Sequence, residues 1–143
     1  MKKRFIYLVI VFVLLLTSCS FAQENGVALS IENNILPVGT KSVVAKWTNN
    51  TNDVISFGFG FKLEQKEKVE WVEIEHSKDY IVEDVLATLL PKGETEAQYN
   101  ITAYYGKDLP KGEYRIKANY SFDDDKEYGE KDYYVAFAEF EIK

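Results

Sequence analysis

Residues 55–64 read Ile-Ser-Phe-Gly-Phe-Gly-Phe-Lys-Leu-Glu, "ISFGFGFKLE". Two readings of Gly58 and Gly60 compete. A glycine loop that cradles phosphate leads into a helix, whose free N–H groups meet the anion. No helical periodicity follows Glu64. After "QKEK" (residues 65–68) comes a second apolar run, "VEWVEIE" (residues 69–75). Phe57, Phe59, Phe61 and Leu63 occupy one phase of a period-two pattern. The stretch therefore predicts a strand with an aromatic face, its glycines on the other face where a backbone or ring approaches closely.

The same period extends outward in both directions. Val27, Leu29 and Ile31 alternate, as do Val43, Ala45 and Trp47 before the turn-rich "NNTND" (residues 49–53). Thr95, Ala97, Tyr99, Ile101 and Ala103 share a phase, and so do Tyr114, Ile116, Ala118, Tyr120 and Phe122. Tyr134, Ala136, Ala138, Phe140 and Ile142 close the series. Such alternation between turn residues predicts strands with one buried face. In "VEWVEIE" the apolar phase switches between Trp71 and Val72, which predicts a bulge. "DYIVEDVLATLL" (residues 79–90) is ambiguous, because Ile81, Val85 and Leu89 have helical spacing: a short helix or an irregular crossing. About seven strands with turns every 8–12 residues predict an all-β, antiparallel sandwich of the immunoglobulin kind.

The N-terminal chemistry differs. Lys2, Lys3 and Arg4 precede twelve unbroken apolar residues, Phe5 to Leu16. A membrane-crossing helix needs about 20, so the run fits the apolar region of a secretory signal. It ends in Leu16-Thr17-Ser18-Cys19, which resembles the lipobox of bacterial lipoproteins. That resemblance implies cleavage after Ser18 and lipidation of Cys19, the single cysteine. The expected organisation is a signal peptide over 1–18, a lipidated tether over 19–25 and one domain over 26–143. Two acyl chains hold a protein firmly where one does not.

Charge narrows the partners. The chain carries a formal charge of −6, and residues 1–18 contain three bases and no acid, so the mature chain carries −9. Nucleic acid, bound chiefly through Lys and Arg on phosphates, is excluded, and so is lying flat on an anionic lipid surface. With Cys19 lipidated no internal disulfide forms. Nine Phe, ten Tyr and two Trp offer aromatic burial instead.

A wider resemblance then emerges. Asn49-Asn50-Thr51, Gly58–Glu64, Trp71–Ile74, Leu90–Thr95 and Leu109–Arg115 occur in order. Together they resemble a family of bacterial immunoglobulin-like domains found in exported lipoproteins of Gram-positive bacteria, over Val27 to Ile142. "LPKGE" occurs twice, at 90–94 and 109–113, and predicts two similar turns before two strands. Tyr114, just past the second, resembles the tyrosine corner of sandwich proteins, whose hydroxyl returns to backbone a few residues upstream.

Catalytic constellations are sparse. His76 is the single histidine, without a thiol or a serine motif beside it, and reads as a solvated loop residue. Residues 123–132, "DDDKEYGEKD", hold six carboxylates. Their spacing does not match an EF-hand, so a solvated hairpin tip is the reading preferred to a calcium site. Tyr104, Tyr105, Tyr128 and Tyr133 fall off the core phase and either cap the sandwich ends or anchor a partner. The sequence thus predicts a lipid-anchored, extracytoplasmic binding module without catalysis, cofactor or metal, held at the cell membrane through Cys19 and facing an unknown protein or glycan. A proteinase-inhibitor-like sandwich and a carboxylate-based hydrolase are the alternatives.

Overall fold

The computed structural model describes residues 25–77, 85–124 and 130–143. The expected signal peptide and Cys19 lie outside these residues. The described chain forms two packed sheets. One joins β1 (Val27–Ser30), β3 (Ser42–Asn49) and β7 (Glu94–Asn100) in the order β1-β3-β7. The other runs β2 (Ile35–Leu36), β9 (Tyr134–Ile142), β8 (Gly112–Phe122), β4 (Ile55–Glu67), β5 (Glu70–Glu73), with β6 (Leu86–Leu89) also on β4. All pairings are antiparallel except β2 with β9, which is parallel, so the expected wholly antiparallel sandwich needs that correction. Among the described residues nine strands replace the expected seven or so. The additions, β2 and β6, have two and four residues, too short for alternation to register.

The predicted core phases point inward. Val43, Ala45, Trp47, Ala97, Tyr99, Ile116, Ala118 and Tyr120 are all buried. Rings fill the space between the sheets: Trp47 stacks on Phe57 at 4.7 Å between centroids and meets Tyr120 edge-on at 6.0 Å. The indole N–H of Trp47 donates to the Tyr99 hydroxyl at 3.0 Å, so neither ring buries an unpaired polar atom. Burial pushes the Tyr99 phenol up to about 12, opposed in part by that hydrogen bond.

Three local expectations are revised. First, β4 is one strand, but its register on β8 shifts: Phe57 faces Tyr120 whereas Phe61 faces Ala118. Two extra residues bulge between them, and Phe59 is 37 % exposed rather than in the core with its neighbours. Second, β4 and β5 pair without a bulge from Glu67–Glu70 to Glu64–Glu73. β5 is an edge strand with Val72 exposed, so the two sides of "VEWVEIE" are not choosing between core and solvent. Third, the strand expected through Ala103 stops at Asn100. A short helix α1 (Ile101–Tyr105) follows. The Asn100 side chain accepts from the Ala103 N–H at 3.0 Å, and Gly106 closes the helix with φ 68°, a conformation glycine adopts without Cβ strain.

Helix α1 turns Tyr104 and Tyr105 into the core, the capping role offered as one of two alternatives. They also complete β4. Its edge pairs with β6 over Ile55–Gly58 and with β5 over Glu64–Glu67. Between these, the Tyr104 hydroxyl donates to the Phe59 carbonyl at 3.1 Å, and the Leu63 N–H donates to the Tyr105 hydroxyl oxygen at 2.7 Å. Two phenols thus satisfy backbone groups that a strand would otherwise pair.

The two "LPKGE" turns are not alike. In the first, Lys92 is left-handed (φ 58°) and the Gly93 N–H donates to the Leu90 carbonyl at 3.1 Å. In the second, Gly112 carries the positive φ, and the Pro110 carbonyl accepts from the Tyr114 hydroxyl at 2.7 Å. That is the tyrosine corner its position resembles. Asn49 of the "NNT" turn is fully buried; its amide donates to the Asp53 and Leu90 carbonyls at 2.8 and 3.2 Å. One side chain therefore ties the turn after β3 to the turn before β7.

Candidate functional site

The outward face of the β4–β8 pair divides at the bulge. Beyond it, Glu64, Lys66 and Arg115 project from the two strands, and Lys117 stands at the boundary with the other half. Glu64 is only 7 % exposed. It contacts Arg115 directly and lies 3.8 Å from Lys117. The Arg115 guanidinium sits between two rings, 4.5 Å from the Trp71 centroid and 4.3 Å from that of Phe137. Trp71 comes from β5 and Phe137 from β9, so the stack spans four strands. Lys66 pairs with Glu113 at 2.7 Å, which raises its ammonium pKa. This half of the face is filled by its own side chains.

The other half is a trough of about 610 Å³. Its floor is the outward phase of "ISFGFGFK": Ser56, Gly58 and Gly60, beside Asn119 and Ser121 of β8. Val85, Leu86 and His76 form one wall, and Lys131 and Tyr133 the other. The glycines do lie opposite the core, as predicted, but no close approach demands Gly58. A Cβ there would meet its nearest neighbours at 3.8–3.9 Å, ordinary contact. What the glycines supply is depth.

The trough's chemistry departs from that of the chain. Its described lining holds Lys62, Lys117, Lys131 and His76 and no carboxylate, whereas the whole chain is acidic. The lysines' partners stand outside the lining: Glu73 at 2.9 Å from Lys62, Glu64 at 3.8 Å from Lys117 and Asp123 at 3.1 Å from Lys131. A larger depression of about 1110 Å³ opens between β1 and β9, but its ionisable lining is Glu32, Glu96, Glu139 and Lys46. It repeats the acidity of the rest of the surface.

Few of the residues singled out from the sequence meet here. His76 reaches the trough wall, with its ring 6.2 Å from that of Tyr105. Tyr133 is there too, 55 % exposed. Tyr104 and Tyr105 belong to the core, and Cys19 and Tyr128 lie outside the described residues. Of the acidic run, residues 125–129 lie outside the described residues; Asp123 is engaged by Lys131. Lys62, Lys117, Asn119, Lys131 and Leu86 were not anticipated. The available signal was the outward phase itself, in which two glycines follow Ser56 and precede Lys62. Among the described residues, no helix is long and apolar enough to cross a membrane.

Several solved structures are similar to this chain. The periplasmic chaperone SfaE shares 17 % identity over 82 % of this chain and 57 % of its own, with a TM-score of 0.49. The Salmonella enterica SafA pilin in complex with the SafB chaperone gives 13 %, 82 %, 53 % and 0.48. A Caenorhabditis elegans MSP family member, WR4, gives 11 %, 82 %, 99 % and 0.40. This chain thus spans a little over half of each of the first two matched chains. No curated protein matches it. The family model described as a bacterial Ig-like domain matches residues 23–140, and the chain belongs to that family.

Proposed function

We propose that the protein is a lipid-anchored, extracytoplasmic binding module without catalysis, and that the trough over Gly58 and Gly60 is its binding surface. The trough is the observation that carries the reading: side chains withdraw from the centre of an otherwise covered sheet face, and the cations of an acidic chain line the gap. Concave sites with apolar walls and a few convergent polar groups are the usual form of ligand sites. Anchoring rests on Cys19, the single cysteine, set at the end of an apolar run. The setting is that of the Gram-positive exported lipoproteins that the sequence resembles.

Two measurements test this reading. The full chain should take up an alkyne-tagged fatty acid and sediment with membranes, and Cys19→Ala should do neither. It should also be retained on envelope polysaccharide or protein without altering the ligand's length, and Gly58→Trp, which fills the trough, should not. Membrane sedimentation of Cys19→Ala, ligand retention by Gly58→Trp, shortening of the glycan or inhibition of a protease would contradict the proposal.

A further inference from the structure

Resting on the trough as the binding surface, we infer that its ligand is a carboxylated sugar unit of an acidic polysaccharide. Charge selects an anion. The described lining residues include three lysines and His76 and no carboxylate. Lys117 is the most loosely held of the lysines. Among the described residues its nearest carboxylate oxygen is 3.8 Å away, on Glu64, which Arg115 contacts more closely. An incoming carboxylate meets this ammonium without breaking a tight pair.

Backbone pairing argues against an extended acidic peptide. On the trough floor, β4 is already paired on both edges over Ile55–Phe57, with β6 on one side and β8 on the other. Beyond that, the Phe59 carbonyl and Leu63 N–H are taken by Tyr104 and Tyr105. A peptide adding as a strand, which binds through main-chain hydrogen bonds, finds no open ladder at these residues of β4. What the trough presents is side chains: the Ser56 hydroxyl, the Asn119 amide, and the Phe59 and Tyr133 rings. Hydroxyl and amide partners suit sugar hydroxyls, and an aromatic face packs on the apolar face of a pyranose. The volume of about 610 Å³ is that of a small-ligand site.

The test is calorimetry on the full chain in detergent with three probes: trigalacturonate, maltotriose and hexaglutamate. Trigalacturonate should bind, more weakly as salt rises, and maltotriose and hexaglutamate should not. Lys117→Gln should weaken binding about tenfold, the size of one lost charged hydrogen bond. Tyr133→Ala, at an exposed position, should weaken it several-fold and gives a second variant independent of the Glu64 pairing. Unchanged affinity in both variants overturns the inference, as does no binding of trigalacturonate. If hexaglutamate or maltotriose binds instead and Tyr133→Ala reduces it, the ligand class is wrong while the trough remains the binding surface. Retention of the Gly58→Trp chain decides the trough separately.

Discussion

The two halves of one sheet face differ as much as two proteins do. Both are built from β4 and β8, and both use the outward phase of the same alternation. Beyond the bulge the face closes on itself: Glu64 neutralises Arg115, and Trp71 and Phe137 cover the guanidinium. Before the bulge the floor is Ser, Gly and Asn, and the lysines stand at the rim. A sheet face does not become a site by acquiring reactive residues alone. Here it does so by leaving out the side chains that elsewhere satisfy one another.

That contrast can be broken from either side. The largest effect belongs to the packed layer beneath both halves. Phe57→Ala removes a buried ring stacked on Trp47 and should destabilise by about 3–5 kcal/mol in chemical denaturation. Glu64→Gln comes next. It leaves the partly buried Arg115 without its carboxylate and should cost about 2 kcal/mol, while leaving retention of ligand by the trough largely intact. If that loss were absent, the filled half would not be held by its ion pair. Tyr105→Phe removes the acceptor of the Leu63 N–H and should cost about 1–2 kcal/mol. Gly58→Trp should have the smallest effect on stability, within about 1 kcal/mol, because its Cβ has room, yet it should abolish retention. A thermal midpoint that falls as far as for Phe57→Ala would show the glycine to be structural after all.

Alkaline titration sharpens the account of the core. Tyr99 has its folded pKa raised from 10.0 to about 12 by burial. The unfolded phenol therefore loses its proton first. Stability from this group is fully present below about pH 10 and is lost as pH rises towards 12, at no more than about 1.4 kcal/mol per unit. Denaturation followed across that window should show the decline, and the tyrosinate absorbance of Tyr99, taken as the difference from Tyr99→Phe, should rise together with unfolding.

Much of the fold was legible because alternation is a local property. β3, β8 and β9 bury the residues their phases assign, and the Gly112–Tyr114 spacing was enough to place the corner. The bulge was not legible, for a definite reason. Two extra residues restore the phase they interrupt, so Phe57 and Phe61 both point inward across the shifted register. Helix α1 hid in a similar way, since Ile101 continues the inward phase of Tyr99. Only the Asn100 to Gly106 spacing, a cap at each end, marked it. The trough was hardest to read. Its lysines come from β4, β8 and the segment before β9, and nothing along the chain shows that strand pairing gathers them on one face.

Lysine-reactivity footprinting tests the division of the face most directly. With trigalacturonate present, the account predicts that acylation of Lys117 and Lys131 falls several-fold while that of Lys66, on the filled half, stays unchanged. Protection of Lys66 with Lys117 and Lys131 left reactive would contradict it.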